Sequence, residues 1–202
     1  MNAIIRIAEK AGAWILADEV YAGAEQKTDE VTPTFYGRYE KVLAIGSMSK
    51  AYGLPGLRTG WVVGPVDIID KIWARHEYNT LSASMLSNKL AALALSPEIL
   101  PVIRNRTRDY IRKGFPLLQE WMAKQNGNLR CIPPEAAAIA YVKYDLDINS
   151  TDLAMRLIKE PSVMIVPGDH FGMDGYMRIS FGIPRDYLLG GLKGISEVLS
   201  TL

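Results

Sequence analysis

Two apolar runs, each leading directly into a cluster of polar and charged residues, constrain the fold of this chain most. Ala13-Trp14-Ile15-Leu16-Ala17 is apolar at every position and runs into Asp18-Glu19-Val20-Tyr21; Val42-Leu43-Ala44-Ile45 runs into Gly46-Ser47-Met48-Ser49-Lys50. Short apolar runs without alternation suit strands buried on both faces of a parallel sheet. A third strand is predicted over Leu57 to Val63, beyond the tight turn of Gly53-Leu54-Pro55-Gly56. Open α/β sheets bind ligands beyond the carboxyl ends of their strands, which is where Asp18 and Lys50 fall. Each has a plainer explanation when taken alone: Asp18 and Glu19 as a solvated loop start, Lys50 as a surface lysine.

The company Lys50 keeps points to chemistry. A free lysine amine has a pKa of about 10.4, and burial or a neighbouring cation lowers it, as attack on a carbonyl to form a Schiff base requires. Ser47, Ser49 and Arg58 lie on the same short segment. One fixed cation with two hydroxyl donors is suited to a phosphate.

Helices are predicted at the amino end (Ala3, Ile4, Ile7 and Ala8, stopped by Gly12), from Val66 after Pro65, and over Met85 to Leu95 behind Ser82 and Ser84. Ala24 to Tyr39 is polar and is expected to be a surface connection. Ile99 to Lys124 forms a long helical pattern that Pro116 should bend or interrupt, closed by Gly127. Its basic residues Arg104, Arg106, Arg108, Arg112 and Lys113 are expected to form a solvated face, because Asp109 and Glu120 interrupt them. From about Arg130 the pattern is that of a two-layer α+β unit. Its strands are expected over 136–142, 163–166 and 176–181, with a helix over 151–159 capped by Ser150 or Thr151 and a final helix over 185–199.

Composition excludes several classes. A formal net charge of +1 gives no electrostatic reason to expect nucleic acid or an anionic membrane as partner. No apolar run reaches the ~18 residues of a spanning helix, and the first residues lack the pattern of a signal peptide. The single Cys131 rules out an intrachain disulfide and fits a reducing compartment, so a cytoplasmic location is expected. His76 and His170 lack neighbours at ligand spacing and no Gly-x-Ser-x-Gly elbow occurs, so neither a metal site nor a hydrolase triad is predicted; Asp145, Asp147 and Asp152 form a polar turn without the Gly and Glu of a calcium loop.

The segment Ser47-x-Ser49-Lys50 followed by Gly53-Leu54-x-Gly56-x-Arg58-x-Gly60-Trp61 resembles the cofactor-lysine signature of the class I/II aminotransferases, the fold-type-I enzymes that use pyridoxal 5'-phosphate. Asp18-Glu19-Val20-Tyr21 resembles a second signature of that family. Pro167-Gly168-x-x-Phe171-Gly172 followed by Tyr176-Met177-Arg178-Ile179-Ser180-Phe181 resembles a third. The resemblance implies that Lys50 carries the cofactor, that Asp18 pairs with its pyridine nitrogen, that Tyr21 donates to its 3'-oxygen, and that Ser47, Ser49 and Arg58 bind its phosphate. Glu19 matches the pattern without an assigned role. Arg178, on a strand among apolar neighbours, is implied to hold the substrate α-carboxylate; its alternative is a structural ion pair.

The fold class so implied is α/β: part of the fold-type-I large domain, a mostly parallel sheet with helices (1–98), a long interdomain helix (99–128) and a small C-terminal α+β domain (129–202). Members normally have a further N-terminal half, so the chain resembles a C-terminal portion, with sheet edges open to self-association. The implied activity is amino-group transfer between an amino acid and a 2-oxoacid, by a homodimer. A lyase, decarboxylase or synthase on the same scaffold, or the ligand-sensing domain of a transcription regulator, are the alternatives.

Overall fold

The structure, a computed structural model, describes all 202 residues. They group into two compact units, Met1–Thr107 and Arg108–Leu202. The first opens with helix α1 (Asn2–Ala11), which stops at Gly12, whose φ of 63° continues no helix and whose amide bonds back to Ala8 and Glu9. Strands β1 (Ile15–Asp18), β2 (Val42–Ser47) and β3 (Gly60–Val63) form a three-stranded sheet in the order β1-β2-β3. Strand β1 runs parallel to β2, with Asp18 opposite Ile45; β3 is antiparallel, with Gly60 opposite Ser47.

Two sequence expectations fail here. Strand β1 is not buried on both faces: Ala17 is covered, whereas Leu16, on the opposite face, is 67% exposed because nothing in the chain covers that face. The third strand begins at Gly60 rather than Leu57. Pro55–Leu57 winds into a 3-10 turn and Arg58 takes φ 50°, so the chain cannot extend until it has passed both.

Helices α2 (Val66–Asn79) and α3 (Met85–Ala94) follow, the latter capped by the Ser84 hydroxyl accepting from Ser87 N. Met48, Ala91, Ala94 and Ile103 make an apolar cluster, with Tyr52, Leu54, Leu57 and Leu95 against it. Met48 is fully buried. Burying such a side chain contributes about 1.5–3 kcal/mol, so the loop between β2 and β3 is anchored at the residue flanked by Ser47 and Ser49.

Helix α4 (Leu100–Ala123) begins in the first unit and continues in the second, uninterrupted by Pro116. Burial of Ile111, Phe115, Leu118 and Trp121 on either side of the proline offsets its helix penalty of about 3 kcal/mol. In the second unit β4 (Leu129–Cys131), β5 (Ile139–Tyr144), β6 (Val166–Pro167) and β7 (Tyr176–Ser180) form an antiparallel sheet in the order β4-β5-β7-β6. Helices α5 (Ser150–Lys159) and α6 (Arg185–Leu199) complete it. Leu153, Leu157, Met177, Phe181, Leu192 and Ile195 are its buried centre. A Cβ on Gly114 would overlap the Phe181 carbonyl, so that close approach of α4 to the end of β7 requires glycine.

Here β4 was not anticipated, having three residues with an arginine at its centre. Strand β5 starts at Ile139 because Ala137 turns at φ 67°, and β6 starts only at Val166, beyond Ser162 at φ 58°. The cap of α5 is Asn149 rather than Ser150 or Thr151; its side chain accepts from Thr151 N and Asp152 N.

Candidate active site

The parallel register of β1 with β2 and the antiparallel return of β3 bring Asp18, Ser47 and Gly60 to one end of one sheet. Pairing also fixes the faces. Asp18, Ile45 and Val62 share a face, as do Ser47 and Gly60, two residues along their strands. The loops leaving β1 and β2 are then tied together, Ala51 N donating to Val20 O (3.3 Å), while Glu19 N donates to Ile45 O (2.9 Å). The two sequence signatures of the first unit therefore meet.

Within the second loop, Ser49 N donates to Ser47 Oγ (3.1 Å), Met48 N to Thr59 O (3.0 Å), Gly53 N to Lys50 O (3.0 Å) and Leu54 N to Met48 O (2.9 Å). Lys50 opens this turn, exposed between the buried Met48 and Ala51, and its amine makes no hydrogen bond or ion pair. Asp18 is exposed at its strand end, and Oδ1 accepts from Val20 N (3.2 Å), which orients the carboxylate and leaves Oδ2 open. Arg58 is exposed with Nη1 donating to Pro55 O (3.0 Å); its remaining N–H groups stay available.

Residues that sequence reasoning missed hold this arrangement. The Glu19 carboxylate accepts from Thr34 Oγ1 (2.9 Å) and Phe35 N (2.8 Å). Glu25, only 5% exposed, accepts at Oε1 from Gly23 N (2.9 Å), Thr32 N (2.8 Å) and Thr32 Oγ1 (2.9 Å). The stretch after Tyr21 is thus pinned by two carboxylates, and Ala24 and Glu25 are buried where only a surface connection was expected. The basic stretch of α4 also departs from a solvated face. Arg108 is 5% exposed, Arg104 is half-buried, and Arg106 Nη2 donates to Tyr52 O (2.7 Å). No local pattern signals the Arg106 contact, because its partner is a main-chain carbonyl far along the sequence.

In the second unit, Arg178 lies on β7 opposite Tyr141 on one side and Val166 on the other. It is half-buried and has no hydrogen bond or ion pair with the chain's own acids, so the structural ion pair is not formed. Tyr141 and Tyr176 stack beside it with ring centres 4.9 Å apart, and Tyr141 Oη donates to Gly168 O (3.3 Å).

The family model for class I and II aminotransferases matches residues 1–194. The chain belongs to that family. It is 37% identical over 169 residues to capreomycidine synthase of Streptomyces vinaceus, covering 80% of this chain and 41% of that protein. It is 28% identical to an aspartate aminotransferase of Streptomyces avermitilis, covering 96% of this chain and 50% of that one. A PLP-dependent aminotransferase from Streptococcus suis superposes with a TM-score of 0.89 at 30% identity, over 98% of this chain and 51% of its own. The chain thus spans about half the length of the curated relatives it matches. The cofactor of this aminotransferase family is pyridoxal 5'-phosphate. The first unit offers what that group requires: an unpaired amine, a carboxylate with an open oxygen at the same end of the sheet, and hydroxyl and guanidinium donors flanking the amine.

Proposed function

We propose that this chain carries the cofactor-lysine portion of an enzyme transferring amino groups between an amino acid and a 2-oxoacid. The observation that carries this reading is the amine of Lys50, left without a partner at the sheet end where Asp18 also emerges. Bound there, pyridoxal phosphate supplies an aldehyde for Schiff-base formation and a ring that withdraws electrons from the substrate Cα.

The chain's residues divide the remaining work. Asp18 Oδ2 holds the proton on the ring nitrogen, keeping the ring cationic. Tyr21 Oη donates to the 3'-oxygen. Ser47, Ser49 and Arg58 supply hydroxyl and guanidinium donors to the phosphate. Lys50 Nζ is the base that takes and returns the substrate Cα proton. Arg178, lacking an acid of its own, holds the α-carboxylate of the substrate, an orientation that binding fixes before any bond breaks.

Chemistry of the synthase type on the same residues is the second reading, favoured by the identity to capreomycidine synthase. Incubating the complete protein with pyridoxal phosphate, a panel of amino acids and a 2-oxoacid distinguishes the two. Formation of the new amino acid and of the donor's oxoacid supports transfer; a product that retains the donor's nitrogen overturns it. Lys50→Ala is expected to abolish the visible absorbance of the bound cofactor, and a band surviving that substitution would refute the lysine assignment.

A further inference from the structure

We infer that Arg106 is a positioning residue for Lys50, resting on the assignment of Lys50 above. Lys50 is the first residue of a turn closed by Gly53 N donating to Lys50 O, and the same turn is tied to its flanks by Leu54 N to Met48 O and Ala51 N to Val20 O. No main-chain donor reaches the carbonyls of Tyr52 and Gly53 in that turn. Arg106, extending from α4, supplies the missing donor: Nη2 lies 2.7 Å from Tyr52 O and 3.5 Å from Gly53 O.

Gly53 is shaped for that contact. It stands at φ 61°, and a Cβ added to it would come within 2.9 Å of Arg106 Nη2. A side chain at 53 is thus strained by the backbone and would push the guanidinium away from the two carbonyls. Both carbonyls are met by one nitrogen, Nη2, so the contact needs a single cationic donor at this place, which a lysine also carries.

One consequence follows for the amine. Its turn is held by a side chain of α4 as well as by its own main-chain bonds, which limits the arc that Nζ sweeps. Arg106 touches no reacting atom in this scheme and acts only through Lys50.

The test compares wild type, Arg106→Ala, Arg106→Lys, Gly53→Ala and the double variant Arg106→Ala/Gly53→Ala in the complete protein. Attachment of pyridoxal phosphate to Lys50 is followed against time by borohydride trapping and peptide mass, with thermal melts alongside. Arg106→Ala is expected to slow attachment about tenfold, with a melting shift of no more than about 3 °C. Arg106→Lys should recover most of the rate, and Arg75→Ala, another arginine on an exposed helix face, should change nothing. Gly53→Ala should reproduce the Arg106→Ala defect, and the double variant should be no worse than either. Wild-type rate in Arg106→Ala, no recovery in Arg106→Lys, or additive losses in the double variant would overturn the inference. Failure of wild type to label Lys50 would instead overturn the lysine assignment, so the two failures are distinguishable.

Discussion

Ala137 stands at φ 67°, in the left-handed region that costs a residue with a Cβ about 1–2 kcal/mol. The turn is required by its neighbour: Ala138 O accepts from Phe181 N (2.8 Å), so the chain must reverse sharply before β5 begins. Glycine would relieve the strain but loses about 0.5–1 kcal/mol through the greater freedom of the unfolded chain. Ala137→Gly is therefore expected to gain about 0.5–1 kcal/mol net, read as a higher urea midpoint at unchanged slope. A lower midpoint would mean that the turn holds alanine without strain. At this scale the sequence exposed residues whose type and spacing carry chemistry: Asp18, Lys50 and Arg178 were visible as members of patterns. Arg106 was not, since its partner is a carbonyl 54 residues away and carbonyls leave no mark on a sequence. Glu25 was hidden for the same reason, its donors being mostly main-chain amides.

At the scale of elements, the amino end of α5 shows how tertiary partners choose among local candidates. Asn149, Ser150 and Thr151 are all good caps, and the sequence alone favoured the wrong ones. The choice is made by two carboxylates from the loop before β7. Asp174 accepts from Ser150 N (2.7 Å), and Asp169 from Thr151 Oγ1 (2.7 Å) and Ser150 Oγ (2.9 Å), so the two hydroxyls are already committed. The Ser150 amide bond is the main influence holding the Asp174 carboxyl below its usual value, and the Thr151 hydroxyl does the same for Asp169. The hydroxyl of Tyr144, which donates to Ile148 O, is pushed up to about 12, by burial first and then by Asp174 and Asp169. The signs are opposite. For the carboxylates the stabilisation is full above their unfolded pKa of about 3.9 and is lost as pH falls through their lower folded values. For Tyr144 it is full below about pH 10 and is lost as pH rises toward about 12. A near-ultraviolet circular dichroism titration of the second unit's tertiary signal should thus show an acid limb below about pH 4 and an alkaline limb above about pH 10. Asp174→Asn should weaken the first and Tyr144→Phe the second; an acid limb untouched by Asp174→Asn would place its origin elsewhere.

For the whole molecule, apolar runs located the first two strands of the sheet but not their environment. An uninterrupted apolar run such as Ala13 to Ala17 looks the same whether both faces are covered or one is open, because hydrophobicity records a need for cover and not its source. In the structure that need is unmet: β1 pairs only with β2, and Leu16 on its open face is 67% exposed. In the same unit Trp73 is 63% and Leu86 69% exposed. A free strand edge beside apolar side chains is a template for pairing with another chain. The isolated 202-residue chain is accordingly expected to self-associate as its concentration rises, with β1 as a contact. Leu16→Lys places a charge on the open face without touching the covered one, so it should lower concentration-dependent light scattering while leaving the far-ultraviolet circular dichroism unchanged. Ile132→Lys, at a site 90% exposed in the second unit, serves as the matched control for added charge. Equal effects of the two substitutions would show that net charge alone governs the association, and that the edge of β1 has no part in it.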